Sequence, residues 1–436
     1  MQRWLSLPAL LSKEIQRYLQ INLNRKEDRN AWYLCLEIFW ASILGSAATF
    51  NAAFAIRLGA TNTEVGLLSS IPALMAVLVS IPAGRFLQSR QDQKPWLWSA
   101  LTLHRTGFLM VALIPWLPLA NVPLGGLTVA VLAVMTVPAH FFNVGFIAMM
   151  GDAVPEHYRA SVFAARNMVY HTTISACNLL FGLWLSRVSF PLNYQMMYML
   201  GYATSMLSLY YLLKLEIAHP ATRPHVERAV RSLRERLESL RQAITTHRGM
   251  MQIIFNTLLH GLGLWMVAPL YILHYVRDLG ASDAWIGLQG TVASLGTIAG
   301  FALWRRVMAQ WGEPRTLKRM ILMIGLFPIA VGLLPNLTLI LIAIGLNGLI
   351  VPGVNLSHFN TLLKVTPAKE RTEYTAWYMA MVNIGAFICP LIGVALANKF
   401  GIAPVLVGCG LFSIIGSLSF RVWPVQSAGQ DAQAQS

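Results

Sequence analysis

Apolar positions in this chain run in long, nearly unbroken stretches separated by short polar punctuation. A hydrocarbon layer about 30 Å thick is crossed by roughly 20 apolar residues in a helix. Twelve stretches of that kind are present, near residues 31–56, 64–86, 96–118, 121–150, 161–185, 193–214, 250–276, 284–304, 317–335, 337–364, 372–398 and 402–423. They are called spans 1 to 12 below. The shortest connections carry Pro or Asn, as at Asn121-Val-Pro123 and Pro335-Asn336. One connection, 215–249, is long and charged, and its Val226, Val230, Leu233, Leu237, Leu240 and Ile244 recur at steps of four and three, the stripe of a helix with one apolar face. The pattern predicts an all-α membrane protein. Its parts are an N-terminal amphipathic arm (1–30), an N-terminal six-helix half (31–214), a linker helix (215–249), a C-terminal six-helix half (250–423) and a disordered tail (424–436). The apolar stretch Leu5 to Leu11 is short, contains Pro8 and lacks a small-residue cleavage site, so residues 9–24 read as a helix lying on the membrane rather than a signal peptide.

Composition sharpens this. Apolar residues make up 56% of the chain and charged residues 12%, against about 25% charged in a soluble domain. The net charge of +15 would suggest nucleic acid in a soluble protein. Sorting the 33 Lys and Arg by side removes that implication. Only Arg57, Arg187, Arg277 and Lys399 fall on one side, Arg105 lies inside a span, and the rest collect on the other side with both termini. The positive-inside rule places that basic side, and both termini, in the cytoplasm. The excess charge then calls for anionic lipid heads, not nucleic acid, as a partner. Cys35, Cys177, Cys389 and Cys409 all sit within spans at no metal-like spacing and read as packing residues. A phosphate loop, a dinucleotide fingerprint, a His-Glu-x-x-His helix and a Gly-x-Ser-x-Gly elbow are all absent. The sequence therefore predicts no enzyme, no cofactor and no metal.

The chain repeats itself. Leu58-Gly-Ala-Thr-Asn-Thr-Glu-Val-Gly-Leu67 after span 1 matches Leu279-Gly-Ala-Ser-Asp-Ala-Trp-Ile-Gly-Leu288 after span 7. The same spacing relates Arg85 to Arg306 and Lys94 to Arg315. Val154-Pro-Glu-His-Tyr-Arg159 after span 4 matches Thr366-Pro-Ala-Lys-Glu-Arg371 after span 10. Six spans per half give both halves the same topology. With its charged central loop, the basic loop after span 2 echoed after span 8, and the Pro-x-x-x-Arg loop after spans 4 and 10, the chain resembles the major facilitator superfamily over nearly its whole length. Span 5 has only Gly182 where the drug/proton antiporter branch has a Gly-Pro pair, which argues against that branch.

The resemblance implies a substrate cavity between the halves, lined by spans 1, 4, 7 and 10. Helical periodicity puts His140 and Asn143 on one face of span 4, Asn256 and His260 on one face of span 7, and Asn355 and His358 on one face of span 10; Tyr378 on span 11 flanks them. The alternative for such residues is helix-to-helix glue, since lipid offers them no other partners. Two ionisable residues other than histidine lie clearly inside spans, Glu37 and Arg105. Each is either a functional group, Glu37 as a proton-coupling site and Arg105 as an anion contact, or half of a structural pair. Arg85, Lys94, Asp152, Glu156 and Arg159, with Arg306, Arg315 and Arg371 in the second half, are the expected cytoplasmic gate. The function expected is secondary active transport of a small organic solute by alternating access, with proton coupling as an option. The alternatives are a non-transporting scaffold or assembly factor, or a lipid translocase of the same fold. The expected setting is a monomer in a prokaryotic cytoplasmic membrane.

Overall fold

A computed structural model describes residues 23–90, 92–118, 121–216, 248–366 and 371–423. Most of the predicted arm, the apolar stripe of the linker and the tail lie outside these residues. The helices fall where the apolar stretches predict. Span 1 comprises Lys26–Ala48 and Asn51–Arg57, and spans 2 to 6 are Asn62–Gln88, Lys94–Leu113, Leu124–Ala153, Glu156–Arg187 and Leu192–Leu213. Span 7 is Arg248–Leu273 with a π-turn, His274–Asp278; span 8 is Asp283–Trp311; span 9 is Glu313–Ile324 continued by Leu326–Leu333. Spans 10 to 12 are Leu337–Val365, Arg371–Phe400 and Ile402–Val422. Ten of these rods are long and apolar enough to cross a bilayer. The other two, spans 5 and 6, carry more polar residues, and these turn inward: Asn178, Gln195, Ser205 and Ser208 are buried.

The repeated segments turn out to be helix punctuation. Gly59 and Gly280 hold φ of +89° and +63°, a left-handed conformation that glycine adopts without a Cβ clash, and each ends a helix. Two residues on, Thr61 and Ser282 cap the next helix by accepting from the backbone N–H of Glu64 and Trp285. The Pro-x-x-x-Arg loop is a second device. Pro155 starts span 5, and the Arg159 guanidinium turns back to donate to the carbonyls of Val154, at 3.0 Å, and Gly151, which the end of span 4 leaves unpaired.

The two halves pack alike. Span 1 lies on spans 5 and 6, and span 7 lies correspondingly on spans 11 and 12; span 4 lies on spans 2 and 3, and span 10 on spans 8 and 9. The halves meet along two pairs, span 5 with span 8 and span 2 with span 11. At the first crossing the backbones touch: a Cβ on Gly287 would stand 2.3 Å from the Asn178 carbonyl and 2.8 Å from Gly182 Cα. One end of the assembly gathers the start of span 1 with the ends of spans 4 and 6, since Asn30 donates to the carbonyls of Ala153 and Glu216 at 3.0 and 2.8 Å. This is the basic face. The other end, here the opposite face, gathers Arg57, Asn62, Arg277, Asp283 and Asn398.

These crossings predict a sharp contrast. Gly287→Val forces spans 5 and 8 apart and is expected to cost about 1–3 kcal/mol or more, a clear fall in melting temperature in detergent. Gly408→Ala meets nothing within 4 Å and is expected to leave it unchanged. Equal melting temperatures for the two variants would refute this packing.

Candidate functional site between the halves

On the opposite face the halves are bolted in both directions. Arg57, at the end of span 1, donates to Asp283 Oδ1 through Nε at 3.0 Å and Nη2 at 2.8 Å. Tyr194 on span 6 donates to the same oxygen at 2.6 Å. Asp283 is the first residue of span 8, where the helix N-terminus also favours its negative charge. The return contact comes from Arg277, at the end of span 7. It donates to Asn62 Oδ1 at 2.5 Å and to the Ala60 carbonyl, and Asn62 in turn donates to Asn398 on span 11 at 2.6 Å. Asn62 and Asp283 are equivalent positions of the repeat. Each half thus sends an arginine to the first residue of the other half's second span.

The basic face differs. Its ion pairs and caps described above and below stay within one half: Arg29 and Lys26 with Glu216, Lys94 with the Leu215 carbonyl at 3.4 Å, Arg159 with span 4, and Glu313 with Lys364. Of the expected gate residues, Arg159 is therefore a helix cap. Arg85, Asp152, Glu156, Arg306 and Arg315 stand exposed, and the side chain of Arg371 is outside the described residues. In place of the expected Arg85, Arg90 stacks over Phe86 and Trp96, 4.7 and 5.3 Å from the ring centres.

The expected cavity residues divide. Asn143 and Asn355 are exposed, although each sits ten residues, about 15 Å, from the basic-face end of its span. They are separated by the spacing that relates Arg159 to Arg371, so they are duplicated positions. Asn167 on span 5 is exposed at similar depth, and Asn383 on span 11 is half-buried and donates to the Met379 carbonyl at 2.8 Å. Carboxamides so deep in lipid would lose their hydrogen bonds, so exposure there calls for water or a partner in place of lipid. His358 is brought to Thr257 Oγ1 at 2.7 Å and to the Tyr378 hydroxyl at 3.4 Å. His140 is half-buried. The Asn256 and His260 face of span 7 packs onto span 12 instead: Asn256 donates to the Trp423 carbonyl at 3.0 Å, and His260 Nδ1 lies 2.7 Å from Ser417 Oγ. Span 12 presents Ser413 and Ser417 to that face, so the Asn256 amide N–H and the His260 ring find partners inside their own half, while Asn256 Oδ1 is buried without one among the described residues.

Glu37 and Arg105 are joined, though not directly. Arg105 donates to Ser208 Oγ at 2.8 Å and to the Ser205 carbonyl, and Ser208 donates to Glu37 at 3.1 Å. The direct partner of Glu37 is Arg166 on span 5, at 2.6 Å. Sequence reasoning assigned Arg166 to the basic-side charges because it lies close to the expected start of span 5. The helix begins at Glu156 instead, which carries Arg166 nearly three turns inward and over the Phe146 ring, 4.7 Å from its centre. Span 1 supplies the acid, and spans 3, 5 and 6 supply its partners. Arg57, Arg277, Asn62, Tyr194 and Asp283 were also missed as a group. The repeat marked two of them as equivalent but carried no signal of which residue crosses to which.

The sequence model described as Major Facilitator Superfamily matches residues 253–435. No curated protein matches the sequence. Among solved structures, the fold is similar to that of a mutant form of the nucleoside transporter NupG, with a TM-score of 0.69 at 12% identity over 90% of this chain and 99% of that one. It is similar also to a bacterial homologue of the human lysosomal transporter Spinster, in an inward-facing, unoccupied conformation (TM-score 0.65, 12% identity, 91% and 97% covered). A third similar structure is a POT family transporter in complex with a thioalcohol-conjugated peptide (0.66, 14%, 91% and 96%).

The buried charges make a stability prediction. Arg166→Met leaves Glu37 without its direct partner and is expected to destabilise the protein by about 3–5 kcal/mol, whereas Glu37→Leu with Arg166→Met loses clearly less than the sum of the two single changes. Denaturation of the four proteins in detergent checks this; additive losses would show that the pair is uncoupled.

Proposed function

We propose, from a chain that is a major facilitator superfamily protein by fold and, over residues 253–435, by sequence, that it is a secondary active transporter moving a small organic solute by alternating access. The observation that carries this reading is the asymmetry between the two faces. Reciprocal arginine contacts close the opposite face, while exposed asparagines on spans 4, 5 and 10 open the cleft toward the basic face. Orientation by the basic residues makes the open side cytoplasmic, so the conformation faces inward. Asn143, Asn355, His358 and Tyr378 then border the cleft. Span 7 departs from a fully polar lining, since its Asn256 and His260 hold span 12; the scaffold reading would need all the polar stripes buried in this way, and those of spans 4 and 10 are not.

In this mechanism the outward-facing state forms when Arg57 releases Asp283, Arg277 releases Asn62, and the halves rock about the crossings of spans 5 with 8 and 2 with 11. Proton coupling belongs to Glu37: a proton there cancels the charge that holds Arg166 and frees the guanidinium on span 5, next to the cleft-exposed Asn167.

Uptake into proteoliposomes tests both levels, with labelled uridine and a labelled dipeptide as first solutes. Cysteines at positions 57 and 283, in a protein lacking its four native cysteines and joined through disulfides by a bifunctional methanethiosulfonate, are expected to abolish uptake, and reduction of those disulfides to restore it. Full uptake with the bridge in place would overturn alternating access through this face. Glu37→Gln is expected to remove accumulation driven by a pH gradient while leaving downhill exchange; undiminished accumulation would remove the coupling role.

A further inference from the structure

Beneath the bolted face lies a cavity of about 300 Å³, set in the N-terminal half and closed on one side by span 7. This is near the lower bound of small-molecule sites. Its position is marked by broken helices. Span 1 is interrupted at Thr49–Phe50, Pro72 and Pro138 sit within spans 2 and 4, and Pro269 sits within span 7. Each proline removes a backbone N–H and frees a carbonyl one turn earlier. Irregular backbone inside a membrane protein is tolerated where it lines a cavity.

The polar lining is Thr49, Asn51, Ser69, His104 and Thr136, from four different spans. The hydrogen bonds already made by these groups fix what they offer. His104 Nδ1 stands 3.0 Å from the Met135 carbonyl, which only accepts, so Nδ1 carries the proton and Nε2 of the neutral ring is an acceptor. The Thr136 hydroxyl donates to the Ala133 carbonyl at 2.6 Å and keeps its lone pairs. The Asn51 carbonyl oxygen accepts from Tyr198 at 2.9 Å, which leaves its NH₂ as the donor. Thr49 and Ser69 hydroxyls have no partner among the described residues. Phe108, Leu132 and Ile272 supply an apolar wall, and the lining contains no carboxylate, ammonium or guanidinium. A charged solute would enter without a counter-charge, in a low-dielectric place where that is most costly.

We infer that this cavity is the binding site for an uncharged solute with hydroxyl or amide groups along one edge and an apolar face, oriented by His104 Nε2, Thr136 and the Asn51 amide. The inference rests on the transporter reading and names the substrate class. It also ties the site to the bolt above it. Asn51 bonds Tyr198, whose ring lies 5.5 Å from that of Phe54; Phe54 stacks on Tyr194 at 4.8 Å, and Tyr194 holds Asp283. A solute that draws the Asn51 side chain down acts on the first member of that series.

The test is thermal stabilisation of the purified full chain in detergent by three neutral solutes, uridine, glucose and nicotinamide, each against its anionic counterpart: uridine 5′-monophosphate, glucose 6-phosphate and nicotinate. At least one neutral member is expected to raise the melting temperature, and no anionic one. His104→Phe and, as a near-isosteric second variant, Thr136→Val are expected to weaken that binding at least tenfold, while Gly408→Ala on span 12 binds as the unaltered protein does. Stabilisation by an anionic member, by none of the neutral ones, or with full affinity in both pocket variants would overturn the assignment. Uptake is a separate readout: a neutral solute that binds with the expected variant pattern but is never carried into proteoliposomes upholds the pocket and removes the transport reading.

Discussion

Two arginines crossing in opposite directions hold the halves of this molecule together at one end, and the conformation of the whole depends on them. Their strength suits a contact that must be released. The Arg57 side chain keeps 31% of its exposure and that of Asp283 9%, so solvent screens the pair more than a deeply buried one and less than a surface one. Conformational states exchanged by a ligand differ by only a few kcal/mol. A surface pair would contribute too little to favour one state, and a fully buried one would carry a desolvation penalty that can offset its attraction. The acceptors are duplicated positions, Asn62 and Asp283, and the arginines lie one position out of that register. Because each half ends its first span with an arginine and opens its second with Asn or Asp, one local design contributes both the donor and the acceptor of a reciprocal contact.

A different solution serves the charges deeper in the membrane. Glu37, Arg166, Ser208 and Arg105 come from four spans of one half and bind one another there. Lipid cannot solvate an isolated carboxylate or guanidinium, so the network fixes how spans 1, 3, 5 and 6 pack and stiffens that half as a body. The C-terminal half uses neutral groups for the same purpose, with His260 held by Ser417 and Asn256 by the end of span 12. Rigid halves and a releasable seam between them are what rocking requires.

Much of this fold is legible in the sequence, because in a membrane long apolar runs allow few alternatives to helices. The repeat predicted the equivalence of the halves, and the structure shows its physical content in Gly59, Gly280 and the two caps that follow them. Four things were hidden. The length of span 5 was understated, because its first turns are polar, and Arg166 was misplaced with it. The Asn256–His260 stripe looked like a cavity lining because periodicity shows that a face is polar but not what it meets. Arg57 and Arg277 were counted as the sparse charges of the less basic side, and nothing local in a sequence reports a partner 226 residues away. The resemblance implies a cavity lined by spans 1, 4, 7 and 10, so the cavity position of His104 on span 3 had no sequence signal.

In the proposed mechanism the face bolted by Arg57 and Arg277 and the open basic face exchange roles. Distances between paired spin labels measure this directly, in a protein freed of its native cysteines and reconstituted in lipid. One pair, at Thr63 and Lys399, spans the bolted face; another, at Gln88 and Gln310, spans the basic face. Alternating access requires a short distance across the first pair and a long one across the second, with a second population of reversed lengths rising in Asp283→Asn. A single, unchanged distance at both faces in the native protein and in Asp283→Asn would contradict it.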